Sequence, residues 1–371
     1  MESFDERMMV RALALAERGL GRVEPNPAVG AVLTQGQEIV GEGCHQFFGA
    51  PHAEVNALRA AGERARGATM YVTLEPCCHY GKTPPCTDAI ITAGIERVVV
   101  AMQDPFPEVA GSGLARLREA GLKVEVGLCE RRAVKVNAPY LKLHQRGVPF
   151  FIAKWAMTLD GKIATAAGDS KWISCAQSRE IVHQMRNRAD AVMIGVRTAI
   201  RDDPLLTCRL PGGRNPRRIV LDTKARLPLD SKLVTTAGEA PLWVVCGESA
   251  PREKVDSLKD AGCRVLRIPE LAGRVDVAVL ARTLASFQEP LTNVLVEGGG
   301  QVLGSLFEAR LVDRVMVFVA PKLLGGEQAP TAVGGPGVKF VVRAWAVTDV
   351  TVTHVGGDVL IEGEVSYAEE T

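Results

Sequence analysis

The stretch "EPCCHYGKTPPC", residues 75–86, gathers Cys77, Cys78, His79 and Cys86 into one short loop, and it constrains the fold more than any other feature. Four soft or borderline ligands can close a zinc shell by themselves, which would make this a structural knot without chemistry. Such a knot requires adjacent residues 77, 78 and 79 to aim at one ion, whereas closed sites usually space their ligands by at least two residues. The alternative takes a ligand from elsewhere, so that a separate element must pack against this loop. His52 in "PHAE", at the head of a helical pattern, supplies a candidate, and Glu54 stands two residues further on.

A chain of 371 residues exceeds the size at which one hydrophobic core stops growing, so two domains are expected. Its formal net charge is +1 with acids and bases interspersed, which gives no drive toward a phosphate backbone and argues against a nucleic-acid partner. The start, "MESFDERMMVRALALAERG", reads as an amphipathic helix and not as a secretory signal. No apolar run is long enough to span a bilayer, so no membrane is expected as a partner. Nine cysteines, an odd number, point to thiols and metal ligands and to a cytoplasmic protein.

Strand and helix patterns alternate through the first part: strands at 28–34, 68–76, 95–105 and 122–127, helices at 52–62, 86–94 and 112–121. This order predicts a sheet with helices on its faces, parallel where crossovers intervene. The unit stops near Gly147 and Pro149, and a second α/β series follows. It has strands predicted at 190–195, 217–222, 241–246, 293–297 and 313–319, and helices at 176–188, 279–287 and 300–310. Alternating β-branched residues around Gly356-Gly357 predict a closing hairpin.

His-x-Glu followed by Pro-Cys and a second Cys is the pattern of zinc deaminases, in which the metal activates water and the Glu moves protons without ligating. One imidazole and two thiolates leave a fourth tetrahedral position for water, and Glu54 beside it can act first as base and then as acid. Eight residues separate Cys77 from Cys86, more than the two of the general pattern, so the motif alone leaves the ligand set open.

At these residues the chain resembles the bacterial bifunctional riboflavin-biosynthesis deaminase–reductases, in which the eight-residue gap is characteristic. The likeness runs nearly end to end. It rests on "PNPAVGAV" (25–32), "GEGCHQFFGAPHAEVNAL" (41–58), "YVTLEPCCHYGKTPPCTDAI" (71–90) and "MQDPFPEVAGSGL" (102–114), then on "KWAMTLDGKIA" (154–164), "GDSKWIS" (168–174), "RDDPLLTCR" (201–209) and "VEGGG" (296–300). The resemblance implies a cytidine-deaminase-like three-layer α/β/α domain, residues 1–147, and a dihydrofolate-reductase-like α/β domain, residues 148–371. It implies zinc-dependent hydrolytic deamination of a diamino-pyrimidinone ribosylamino 5′-phosphate, followed by reduction of the ribosyl group to a ribityl chain by NADPH. A nucleic-acid deaminase of the tRNA-editing kind and a non-enzymatic zinc scaffold are the competing readings.

In the first domain the resemblance implies one Zn²⁺ per chain on His52, Cys77 and Cys86, with Glu54 catalytic, and Asn26, His45, His79 and Lys82 at the substrate. In the second it implies NADPH contacts from Ala156, Trp172, Thr198, Asp202 and Thr223. The run Gly299, Gly300, Gln301, Val302, Leu303, Gly304 and Ser305 joins them, where a glycine turn opens a helix toward a pyrophosphate. Thr223, Lys224 and Arg226 are expected at the 2′-phosphate. Substrate contacts are implied for Ser170, Arg186, Leu206, Arg209 and Glu297, with Arg186 and Arg209 suited to clamp a phosphate. Lys154 and Glu297 are polar on otherwise apolar strands, so they are expected either to face the cleft or to form a buried ion pair. Lys154, Asp202 and Glu297 are the candidate proton carriers. A homo-oligomer, as a dimer through the second domain, is expected.

Overall fold

Short valine-rich strands with alternating faces organise the first half. The computed structural model describes residues 2–80, 84–106 and 110–367, and the chain divides into two units, Met1–Val148 and Pro149–Thr371. The first unit has strands β1 (Gly30–Gln35), β2 (Glu38–Cys44), β3 (Thr69–Val72), β4 (Arg97–Val100) and β5 (Lys123–Val126) in the order β2-β1-β3-β4-β5. β1 runs antiparallel to both neighbours, and the pairs β3–β4 and β4–β5 are parallel. Helices α1 (Phe4–Ala16), α2 (Ala53–Ala61), α3 (Cys86–Thr92), α4 (Ser112–Glu119), α5 (Glu130–Val136) and α6 (Ala138–Arg146) cover it.

The period of two along β3 sets the layers. Met70 and Val72 join Ala53, Ala57, Ile90, Leu114 and Leu117 in one core, while Tyr71 joins Met9, Ala12, Leu13 and Ala133 in the other. The result is the expected α/β/α sandwich. β2 escaped the sequence reading because Gly41 and Gly43 lower its strand propensity. A Cβ on either would lie 2.4 or 2.3 Å from the Ala57 or Ala53 carbonyl oxygen, so these glycines let α2 lie directly on β2. That approach fixes where His52 and Glu54 stand.

The second unit is a nine-stranded sheet. Its strands are β6 (Phe150–Thr158), β7 (Ala191–Gly195), β8 (Arg217–Leu221), β9 (Leu242–Gly247) and β10 (Arg264–Ile268). A two-stranded pair, β11 (Glu270–Leu271) and β12 (Arg274–Val275), stands apart, and β13 (Asn293–Val296), β14 (Val312–Ala320), β15 (Ala346–Val355) and β16 (Asp358–Ser366) complete the large sheet. The order is β10-β9-β8-β7-β13-β6-β14-β16-β15, parallel from β10 to β14 and antiparallel beyond. Helices α7 (Ala176–Arg188), α8 (Val196–Asp202), α9 (Lys232–Thr235), α10 (Arg252–Asp260), α11 (Val277–Ala285) and α12 (Gly300–Glu308) pack on it. The predicted hairpin forms, with Val355 opposite Asp358 across Gly356-Gly357. From β6 the chain moves outward through β7 to β10 and then returns to β13, placed between β7 and β6. This reversal opens a crevice at the carboxyl ends of those strands, where open α/β sheets bind ligands.

Candidate active sites

In the first unit, β3 ends at Val72 and the chain leaves the sheet toward Cys77. Buried Glu75 anchors this exit: its carboxylate accepts backbone N–H groups of Asp104 (3.2 Å), Gly111 (3.0 Å), Gly113 (2.9 Å) and Leu114 (3.2 Å). The N-terminus of α4 is thereby tied to the loop that presents Cys77. His52 is the N-cap of α2, and Cys86 opens α3 directly after Pro85. Nδ1 of His52 lies 3.6 Å from Cys77 Sγ and 3.3 Å from Cys86 Sγ, and the Cys86 N–H donates to Cys77 Sγ at 3.4 Å.

These ligand atoms all lie within 4.8 Å of one another, and they form the only such group among the described residues. Cys78 and His79 stand outside it, so the local knot is not formed. Two soft thiolates and an imidazole form the donor set that suits zinc, with one tetrahedral position left over. The Cys77 thiol is pulled down to about 4, chiefly by its hydrogen bond with Cys86, and then by His52. His52 in turn is raised by Cys77. Glu54 is fully buried beside them with Oε2 unpartnered, and burial first, then Cys77, pushes its carboxyl up to about 7.

His45 sits against His52 with ring centroids 5.3 Å apart, edge to face. Its Nδ1 is 3.3 Å from the Pro51 carbonyl and its Nε2 is 3.4 Å from Asn26 Nδ2, an arrangement that suits a neutral ring. Burial lowers its pKa in the same direction. Asn26 and His45 therefore stand together beside the metal-ligand group. His79 is half-buried, with Nδ1 unpartnered and its ring 6.3 Å from Phe106. Lys82 lies outside the described residues.

In the second unit a cleft of about 500 Å³ occupies the crevice. It brings together Lys154, Ala156, Ser170, Trp172, Arg186, Thr198, Asp202, Leu206, Arg209, Glu297, Gly299, Gly300 and Leu303 from the sequence-expected set. Thr223, Gln301, Val302, Gly304 and Ser305 do not line it. The Thr223 hydroxyl accepts the Val275 N–H at 3.3 Å, and its carbonyl accepts that of Gly247 at 3.0 Å, which ties three strands together. Lys224 is engaged by Ser249 and Glu270, and Arg226 by Asp222, so both expected 2′-phosphate contacts have internal partners. A Cβ on Gly304 would lie 2.2 Å from the Gly334 carbonyl oxygen, which makes this glycine a packing contact.

Glu297 and Lys154 realise both of their expected readings at once, since they pair and they line the cleft. Arg186 holds Glu297 through Nε at 2.6 Å and Nη2 at 2.9 Å, with Lys154 Nζ 3.9 Å away. Burial opposes ionisation of Glu297, but Arg186 and Lys154 hold its carboxyl down to about 2. Burial also lowers the Lys154 ammonium. The Arg186 fork thus grips a carboxylate, and of the two expected phosphate clamps the exposed Arg209 is the one left open to an anion.

The sequence reading missed Arg179 and His183, which line the same cleft from α7. Their spacing with Arg186, at i, i+4 and i+7, is the signal that could have found them. Arg179 stacks on Trp172, its guanidinium carbon 4.6 Å from the ring centroid. Arg201 also lines the cleft and pairs with Asp202 at 2.8 Å, while Arg197 is exposed outside it.

Comparison with known proteins agrees with two sites in one chain. Residues 149–361 match the family described as "RibD C-terminal domain", and residues 2–102 match the "Cytidine and deoxycytidylate deaminase zinc-binding region". The chain is 42% identical to riboflavin biosynthesis protein RibD of Aquifex aeolicus over 97% of its own length and 98% of that protein's. It is 42% identical to the Escherichia coli protein of the same name, covering 96% and 98%. Among solved structures, Acinetobacter baumannii RibD superposes with a TM-score of 0.86 at 37% identity, covering 98% of this chain and 99% of that one. A diaminohydroxyphosphoribosylaminopyrimidine deaminase / 5-amino-6-(5-phosphoribosylamino)uracil reductase from Thermotoga maritima gives 0.84 at 36%, with the same coverage. A tRNA deaminase with an unrelated accessory domain would not align across both halves. The chain belongs to the RibD family of riboflavin biosynthesis, and it is a bifunctional enzyme with an N-terminal deaminase domain and a C-terminal reductase domain.

Proposed function

We propose that the first unit deaminates 2,5-diamino-6-ribosylamino-4(3H)-pyrimidinone 5′-phosphate, and that the second reduces 5-amino-6-(5-phosphoribosylamino)uracil to its ribityl product with NADPH. The observation that carries this reading is the convergence of His52, Cys77 and Cys86 beside a buried carboxyl with one oxygen unpartnered. One zinc ion held by those three residues would supply the Lewis acidity that brings the pKa of water toward neutrality. Glu54 takes a proton from water and delivers it to the ring nitrogen, then takes the remaining hydroxyl proton and delivers it to the departing amine; a C–O bond forms, the C–N bond breaks and ammonia leaves. A buried carboxyl with one oxygen unpartnered is placed to accept and to release protons there. Asn26, beside neutral His45, presents an amide to the pyrimidine edge.

In the second unit, the turn Gly298-Gly299-Gly300 opens α12, and its free backbone N–H groups suit a pyrophosphate. A Cβ at Gly299 would lie 2.9 Å from Thr198 Oγ1, so the turn is bare because the chains approach closely there. NADPH bound in the cleft would supply the hydride that opens the ribosyl ring at C1′. Lys154 is the proton carrier best supported by its surroundings: it is half-buried, it faces the cleft, and its ammonium is made more acidic by desolvation. Asp202 is engaged by Arg201, and Glu297 is held ionised. Arg209 would meet the 5′-phosphate.

Two further readings complete the proposal. A dimer through the second unit has a candidate surface in edge strand β15, where Val347, Val350 and Val352 are exposed. A cytoplasmic location suits nine cysteines of which none forms a disulfide, and no helix among the described residues is long and apolar enough to cross a membrane. The test supplies the zinc-loaded protein with the diamino-pyrimidinone phosphate and NADPH, following ammonia and NADPH absorbance separately. Both signals are expected; absence of ammonia overturns the assignment of the first unit, and ammonia released without NADPH oxidation overturns that of the second.

A further inference from the structure

The C-terminal hairpin reaches back to the helix that lines the reductase cleft. Asp358 is buried at the start of β16, and its Oδ2 accepts the Cys175 N–H at 2.7 Å and the Ser178 hydroxyl at 2.6 Å. Cys175 is the N-cap of α7 and makes no side-chain cap of its own. A carboxylate 183 residues further along the chain therefore supplies the cap and meets the positive end of the helix dipole. The turn also presses on the helix. Cys175 Sγ is 3.2 Å from the Val355 carbonyl oxygen, and a Cβ on Gly356 would stand 2.8 Å from Gln177 Oε1.

Val355 and Leu360, on either side of this turn, pack with Val182 of α7 against Met316 and Phe318. Ser178 and Val182 are the buried residues of α7, with Ile181 and Met185 packed beside them, so the hairpin turn meets the helix on the one narrow face that seats it on the sheet. The same helix carries Arg179, His183 and Arg186 into the cleft, where Arg186 grips Glu297. Asp358 itself does not line the cleft.

We propose that Asp358 is a positioning residue for the reduction: by capping α7 from the hairpin, it sets the register that brings Arg186 onto Glu297 and Arg179 and His183 to the ligand. This rests on the reading of the second unit as the reductase. A shift of α7 misplaces groups that hold the substrate, so the loss falls on binding before it falls on chemistry.

The test compares the full zinc-loaded chain with Asp358→Ala, Asp358→Asn and Ser178→Ala. For each, ammonia release, NADPH oxidation against phosphoribosylaminouracil concentration, and thermal unfolding are measured. Asp358→Ala is expected to raise KM by on the order of tenfold with kcat held within about twofold, and to leave ammonia release unchanged. Asp358→Asn keeps an oxygen that accepts both bonds and restores KM to within about threefold of the parent, and Ser178→Ala falls between the two. Should Asp358→Ala fail to fold, the graded KM of the other two carries the test. Loss of kcat in step with the folded fraction at constant KM, or no change in any folded variant, overturns the inference alone. A parent protein that oxidises no NADPH overturns the reductase reading and this inference with it.

Discussion

Glu54 and Glu297 are both buried carboxyls, one in each unit, and their surroundings drive them in opposite directions. Glu54 has an oxygen without a partner, and burial with a neighbouring thiolate raises it to about 7. Glu297 receives both prongs of Arg186 with Lys154 nearby, and is held to about 2. Environment, not residue type, assigns the roles. A carboxyl that changes protonation near neutrality is a proton carrier, and one that stays ionised is a fixed charge that orients cations.

The comparison breaks most visibly at Glu54. Glu54→Gln keeps the shape and the metal ligands but removes the proton carrier. Ammonia release is expected to fall by on the order of 10³. Metal analysis should find zinc retained, and NADPH oxidation fed directly with phosphoribosylaminouracil should match the parent. Ordinary ammonia release in this variant would sink the proton-carrier role. Removal of the metal with a chelator should likewise silence ammonia release and leave NADPH oxidation intact, because the described residues of the second unit contain no comparable ligand group. A reductase that stops with the metal would remove the separation drawn between the sites.

Glu297→Gln acts on the other side of the comparison. Arg186 and Lys154 lose their counter-charge while remaining buried, which is costly and frees both cations to move. NADPH oxidation is expected to fall by on the order of 10² with ammonia release unchanged. If the variant reduced substrate at the parent rate, the fixed-charge role would fail.

The two sites were not equally legible in the sequence. The deaminase ligands were readable through the family resemblance: the eight-residue gap between Cys77 and Cys86 left the ligand set open to the motif alone, and the helix starts at Pro51-His52 and Pro85-Cys86 supply the geometry. The reductase cleft is assembled from β6, α7, α8 and the turn after β13, and no short motif records which side chain turns inward. Arg186 was expected on a phosphate because the sequence does not reveal that Glu297 lies opposite. Thr223 is expected at the coenzyme, and its hydroxyl also accepts the Val275 N–H. A sheet with helices on its faces was legible from the alternation of strand and helix patterns. β2 was not, because its glycines answer to the helix above it and not to strand propensity.

The finest test of the comparison is a pH dependence of stability. The carboxyl of Glu297 is depressed from 4.5 to about 2 in the folded chain. A depressed carboxyl contributes stability that is complete above its unfolded pKa and is lost as pH falls through its folded one. The stabilising share of Glu297 is therefore present at neutral pH and declines from 4.5 toward 2. All four tryptophans, Trp155, Trp172, Trp243 and Trp345, lie in the second unit, so their fluorescence in urea reports that unit alone. The parent should unfold at higher urea than Glu297→Gln at pH 7, and the gap should narrow as the pH enters that window. A gap that stays constant down to pH 3 would mean that Glu297 is not held ionised by its neighbours, and the contrast with Glu54 would lose its physical basis.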